Sequence, residues 1–417
     1  MNIFNPLALV FAATLCTCLN VPAIAQEYGP AGATVAAQDA GQTPATPAAS
    51  PKSAQKPDSA EQGAADEKKD KDEQEKKKKK KHSLPDGLVV APLPLSSPAI
   101  GNGIIPVLGL IFPISKTDKL SPPSVIGVAG LTTDNGTRGF AVGAELYFDE
   151  NRYKATAGYA HGTLNYDIYG LGILAGEGAK LPLRQSGHGF FGEFLRRFWW
   201  DIFIGPRFWD GNSFLTLGVT NVGMIQVPPD LGIHTTLRAI GFRIQRDKRP
   251  NQFYPTKGTL FDFTTDFFAQ AMGSKYTFQA YRVTFNKYGS LTKNQVLAFN
   301  SFFCATGGQP PFYGNCIYGT QNELRGYTAG RYFDRYMLAS QLEYRLVLPK
   351  RFGLVAFGGL GGVIPQGDRL LQNAYFLPAG GGGLRFELSK KYHVNLRADL
   401  AQGKDGHVFS MGVGEAF

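Results

Sequence analysis

The stretch NELRGYTAGRYFDRY, Asn322 to Tyr336, sets Arg325, Arg331 and Arg335 among glycines and aromatics, just ahead of a strand-like alternation. A guanidinium stays charged at any physiological pH and carries five donors. The chemistry such a loop offers is therefore bidentate ion pairing with carboxylates, not proton transfer. Other reactive groups are sparse. The six histidines (82, 161, 188, 234, 393 and 407) fall at no metal-ligand spacing, and no GxSxG nucleophile elbow occurs. No catalytic residue, metal site or cofactor is assigned, and an enzymatic role has little support.

Cys304 and Cys316 bracket CATGGQPPFYGNC. With no His or second CxxC nearby, the pair favours a local disulfide over a metal site, two unpaired loop thiols being the alternative. An oxidising compartment agrees with the N-terminus. The apolar run Leu7 to Leu19, followed by Ala23-Ile24-Ala25, reads as a secretory signal over residues 1–25. The segment MNIFNP before that run departs from the pattern, because it has no Lys or Arg. Cys16 and Cys18 lie inside the segment and leave with it.

Residues 26–83 are Ala-, Pro-, Gln- and Ser-rich, then DEKKDKDEQEKKKKKKH. Too little apolar surface is present there to offset chain entropy, so the segment reads as disordered and periplasmic. Its lysines could touch anionic envelope components, but a self-repelling solvated spacer is the favoured reading of them. Of the formal net charge of +10, residues 66–82 contribute nine Lys against six acids, or +3, so the remainder is only modestly basic. Nucleic acid is not indicated as a partner, since lysines in a disordered tether make no folded basic face.

From about Leu88 the texture becomes aromatic- and glycine-rich, in segments of 10 to 14 residues separated by turns. In KYHVNLRADLA, Val394, Leu396, Ala398 and Leu400 alternate with His393, Asn395, Arg397 and Asp399. In Tyr336 to Leu348, Leu338, Leu342, Tyr344 and Leu346 oppose Gln341, Glu343 and Arg345. A soluble sandwich shares this pattern. Segment length, 31 Phe and 18 Tyr, and the ending HVFSMGVGEAF favour instead a membrane barrel, whose polar lumen face alternates with a lipid face. Phe409, Met411, Val413 and Phe417 resemble the terminal assembly signal of such barrels. That signal implies the barrel-assembly machinery as a partner during biogenesis and outer-membrane lipid as the solvent. Fifteen segments are visible, among them 98–114, 199–210 and 407–417. A bacterial barrel has an even number. The expectation is therefore an all-β, 16-stranded antiparallel transmembrane barrel over residues 88–417, its missed strand lying before residue 233. Placing Phe417 at the periplasmic side sets Cys304 to Arg335 outside.

These features together resemble the bacterial surface antigen barrels, the superfamily of outer-membrane barrel-assembly proteins and two-partner secretion transporters. The resemblance rests on LRGY (Leu324 to Tyr327), on RDKRPNQFYPTKG with Asp247, Asn251, Tyr254, Pro255, Thr256 and Gly258 in matching places, and on GVGEAF. It implies that the loop folds back into the lumen and is latched there by Arg325, Gly326 and Tyr327. The family's usual acceptor, the Asp of Phe-x-Asp-x-Gly, is replaced here by Gly359, which leaves Asp399 or Glu343 as candidate acceptors. The family's POTRA domains have no room in residues 26–83, so the resemblance is to reduced members. The function implied is a translocation or insertion pore for a polypeptide or lipid in a Gram-negative outer membrane. A sealed structural or surface-binding barrel presenting a disulfide-braced external loop is the alternative.

Overall fold

Period-two alternation builds the molecule, and the structure shows which face it turns inward. The computed structural model describes residues 88–97, 100–169, 180–218, 221–222, 225–226, 232–319, 323–328, 331–364, 375–389 and 393–417. The expected signal segment and the lysine-rich segment lie outside the described residues. Sixteen antiparallel strands close into one barrel: β1 (Leu88–Ser97), β2 (Gly101–Phe112), β3 (Ser124–Thr133), β4 (Arg138–Phe148), β5 (Tyr153–Tyr169), β6 (Lys180–Arg197), β7 (Phe203–Leu217), β8 (Gly232–Asp247), β9 (Gly258–Phe268), β10 (Phe278–Thr292), β11 (Gln295–Gly308), β12 (Tyr336–Val347), β13 (Phe352–Ile364), β14 (Tyr375–Ser389), β15 (Val394–Gly403) and β16 (Gly406–Val413). Each strand pairs with the next, so β1 and β16 meet at a seam and both ends of the barrel leave from one rim, here the terminal rim.

Charge points inward. Gln341, Glu343 and Arg345 on β12 are 1%, 0% and 1% exposed, while Leu338 and Leu342 on the opposite face are 49% and 47% exposed. A soluble sandwich requires the reverse; only a wall with lipid outside and a polar lumen inside keeps both faces satisfied. The lumen is not uniformly polar. Leu131, Leu164, Phe191, Trp209, Leu215 and Phe268 form a buried apolar lining along β3–β9, against which Tyr313 of the β11–β12 connection packs.

The strand missing from the sequence reading is β1. Its Pro92 and Pro94 argue against a strand, because proline cannot donate to a ladder. Pro92 lies opposite Pro106 of β2. Neither residue has an N–H, so the bonds to β2 run through Ala91 and Leu93, and both β1 prolines turn their missing donors toward β16. Two boundaries also need correction. Segment 199–210 starts at β7, Phe203, because Trp200 and Asp201 are left-handed (φ 61° and 56°) and make a tight turn. Segment 407–417 is strand only to Val413: Gly414, at φ 89°, turns the chain out of the sheet. The terminal rim also carries two longer connections, 113–123 and 248–257, beside its short turns.

Candidate functional site

The β11–β12 connection enters from the rim opposite the termini. Its root is fixed covalently: Cys304 on β11 and Cys316 form a disulfide with Cα atoms 5.8 Å apart. A two-residue ribbon, Cys316–Ile317 with Phe333–Asp334, then aligns the two limbs of the loop. Beyond it, Glu323–Thr328 is buried against the inner wall of β12–β15.

Arg325 is 6% exposed. Its Nη1 donates to Asp399 Oδ2 at 3.0 Å, its Nη2 to Glu343 Oε2 at 2.5 Å, and Nε and Nη2 reach Gln341 Oε1 at 3.3 and 3.2 Å. The guanidinium lies 3.5 Å from the centroid of the Phe357 ring, which covers its remaining face. Both candidate acceptors thus lie on Arg325, one from β12 and one from β15. Gly359 explains the absent family aspartate, because a Cβ there would stand 2.3 Å from Ser340 O and 2.7 Å from Leu324 Cδ1. Leu324 occupies the space an aspartate would need. Gly326 is required by backbone and by space: its φ is 107°, and a Cβ would sit 3.1 Å from Ala379 Cβ. Tyr327 donates to Pro378 O at 2.6 Å and accepts from Lys404 N at 3.1 Å. The other two loop arginines stay near the rim, Arg331 against Asp405 at 3.2 Å and Arg335 on Gly308 O at 2.7 Å.

A second structure rises from the terminal rim. In the β8–β9 turn, Asn251 Oδ1 accepts from Phe253 N and Tyr254 N at 2.7 and 3.0 Å, while Asp247 holds Arg249 at 2.7 Å. Thr256 O accepts from Ser290 Oγ at 3.0 Å, and Gly258 is left-handed at φ 101°. The turn carries Tyr254 and Pro255 up to Arg345, whose Nη1 donates to Pro255 O at 3.3 Å and whose Nη2 donates to Phe417 O at 3.0 Å. Phe417 therefore stacks in the lumen 5.6 Å from the Arg345 guanidinium, not on the lipid face with Phe409, where the terminal alternation predicts it. The cause is Gly414, together with Glu415, which accepts from Arg385 Nε at 2.8 Å and Asn395 Nδ2 at 2.7 Å inside the barrel.

The two structures meet on shared carboxylates. Glu343 takes Arg325 on one oxygen and Arg345, at 2.6 Å, on the other; Asp399 takes Arg325 and Arg385, the latter at 2.5 Å. With Arg397, whose Nη1 lies 3.9 Å from Asp399 Oδ2, four arginines and the carboxylates of Glu343, Asp399 and Glu415 share one buried space, so removing one partner leaves a buried charge, at a cost of about 3–5 kcal/mol. Sequence reasoning missed Arg345, Arg385, Gln341, Phe357 and Glu415. The period-two run Gln341, Glu343, Arg345 was the available signal, for it places three polar groups on one wall. The arrangement holds chain segments in place and offers no nucleophile. Among the described residues, no three of His, Cys, Asp and Glu converge on a metal site.

No curated protein sequence matches the chain. Among solved structures, a BamA from Haemophilus ducreyi lacking POTRA domains 1–3 superposes with a TM-score of 0.52 at 13% identity, covering 77% of this chain and 68% of that one. CdiB from Escherichia coli gives 0.53 at 11% identity (79% and 63%), and CdiB from Acinetobacter baumannii 0.50 at 12% (78% and 58%). This chain thus spans less than two thirds of either CdiB chain, and at such identity the likeness concerns the fold. Residues 216–415 match the Omp85 superfamily domain, a span that takes in Arg325, Glu343, Arg345 and Asp399. The chain is an outer-membrane β-barrel that carries an Omp85 superfamily domain.

Proposed function

We propose that this barrel inserts or translocates a polypeptide or lipid client by opening between β1 and β16, with the β11–β12 loop as a lumen plug latched through Arg325. The rim that loop enters from faces outward, and the terminal rim faces the periplasm. One observation carries the reading. β16 pairs with β15 from Leu396↔Val413 to Gly403↔Gly406, yet among the described residues it meets β1 only at Ser96↔Met411. Continuing that register sets Pro94 opposite Val413 and Pro92 opposite Glu415. The prolines have no donor to offer there, and Arg385 has drawn Glu415 into the lumen. The seam is therefore an edge left open by two independent causes, which is what lateral passage requires. Because Arg385 and Arg325 share Asp399, a change in the position of β16 bears directly on the latch.

The test is single-channel conductance of the refolded barrel in a planar bilayer, wild type beside Arg325→Ala. The expected result is a mostly closed wild type with brief openings and a variant with longer or larger ones. If both are silent and indistinguishable, the barrel is a sealed scaffold. That second reading draws on the filled lumen, which the loop and the Glu415–Phe417 tail occupy from opposite rims.

A further inference from the structure

On the outer wall of β4–β8, register aligns Phe140, His161, His188, Asn212 and Thr236 in one row. The next row toward the terminal rim is Val142, Tyr159, Phe190, Asp210 and Arg238. The inward neighbours Ala141, Ala160, Gln185, Trp209 and Leu237 are all buried, which places these rows outside. Followed strand by strand from the terminal rim, the apolar outward band first gives way after Phe140, Tyr159, Phe190, Phe208 and Ile240, each at least 36% exposed, with Phe214 of β7 standing apart beyond it, stacked on His234 at 4.2 Å. The outward residue one step above is Arg138, His161, His188, Asp210 and Arg238. This boundary slips toward the terminal rim from β4 to β8, as a level line must in a barrel of tilted strands. It marks where the hydrocarbon ends.

Cations gather on that line over these five strands, and Lys275 of the β9–β10 connection stands beside β8, its N–H on Thr236 O at 2.8 Å and its Nζ on His234 O at 2.6 Å; farther round the barrel they do not. The corresponding outward positions are Thr132 on β3, Gln279 on β10 and Ala305 on β11. Asp210 is already taken by Arg238 at 3.3 Å. Arg138 and the more distal Arg184 are exposed and, among the described residues, make no ion pair. His161 and His188 stack with ring centroids 6.4 Å apart, and Phe140 and Tyr159 pack against them at 5.9 and 6.2 Å. Neither imidazole makes a side-chain hydrogen bond within the described chain. Polar groups on a lipid-facing wall are costly unless something at that level receives them.

We infer that the outer wall of β4–β8 is a docking surface for a phosphate-bearing lipid headgroup, with Arg138, Arg184, His161 and His188 facing the phosphate and the aromatic row beneath facing its acyl chains. The charge complementarity and the coincidence with the apolar boundary select a lipid over a second copy of this chain, which would bring the same cations to the contact. This inference rests on the barrel lying in a membrane and not on the seam or the latch.

The experiment is native mass spectrometry of the full chain released from micelles containing phosphatidic acid, comparing wild type, Arg138→Gln/Arg184→Gln and, as a control on the same wall, Ser186→Ala. Retained phosphatidic acid is expected to fall about five-fold per arginine removed, the factor matching about 1 kcal/mol for each cation at an anionic lipid surface. The control should retain it as wild type does, and phosphatidylcholine should be retained by none. Equal retention by the double variant overturns the inference. So does dimerisation of the wild type that the double variant abolishes, because the stripe is then a contact between copies.

Discussion

The two edges of β16 differ more than any two strand edges its length predicts. Toward β15 the ladder is complete, and behind it stands the charge network of β12–β15. Toward β1 a single register pair closes the barrel among the described residues. Composition does not separate the edges, since one strand owns both. The difference comes from β1, whose prolines withhold donors, and from Glu415, which is held inside by Arg385 and Asn395. A barrel can thus carry a rigid wall and a weak seam side by side if polar groups in the lumen take hold of the chain where the ladder should continue.

The strongest way to break this contrast is to close the seam. Ser96→Cys with Met411→Cys, oxidised in the refolded barrel, is expected to abolish all opening events in a planar bilayer. The same protein alkylated before oxidation should open as wild type does. Attacking the rigid side comes next. Arg325→Ala leaves Glu343 and Asp399 short of a buried partner and is expected to lower stability to urea unfolding by about 3–5 kcal/mol. Arg325→Lys should recover little of this, because an ammonium cannot span Glu343, Gln341 and Asp399 at once. Gly326→Ala keeps the charge but forces a left-handed Cβ against Ala379. A loss of about 1–3 kcal/mol is expected, read by the same unfolding experiment.

The seam can also be sharpened from its weak side. Pro94→Ala restores an N–H opposite Val413, and a gain of about 0.5–1.5 kcal/mol is expected, the net worth of one backbone hydrogen bond. Fewer openings should accompany it. If Pro94→Ala changes neither stability nor gating, the missing donor is not what keeps the seam apart.

Much of this was legible before any coordinates. The polar faces of β9, β12 and β15 announced a lumen, and the even-number rule demanded a strand that the prolines of β1 concealed. Proline is legible only as a breaker when read locally; its use here depends on which neighbour is to be denied a bond. Arg325 and its carboxylates were within reach because motif and alternation pointed at the same wall. Arg345, Arg385 and Glu415 were not, since nothing local tells that the chain after Val413 leaves the sheet and carries an acid inward. The tertiary pull of Arg385 decides it, and a period-two extrapolation runs straight past.

The smallest expected effect concerns the terminal rim beside the seam. Asp118, in the β2–β3 connection, accepts from Ser121 Oγ at 2.6 Å and Ser121 N at 2.9 Å, and from Glu150 N at 2.9 Å in the β4–β5 turn. Ser121 Oγ in turn accepts from Asn151 N at 2.7 Å. Hydrogen bonds from Ser121 lower the Asp118 pKa from 3.8 to about 2. A depressed carboxylate pKa stabilises the folded form above the unfolded value, and that contribution fades as pH falls from about 4 through about 2. The amide of Glu150 should therefore exchange with solvent faster across that window in wild type, and Ser121→Ala should move the transition toward the ordinary carboxylate pKa. The staple reaches only the β4–β5 turn. Conductance is expected to stay unchanged in Ser121→Ala, and a change in gating would show that seam opening is governed from the rim as well as from the lumen.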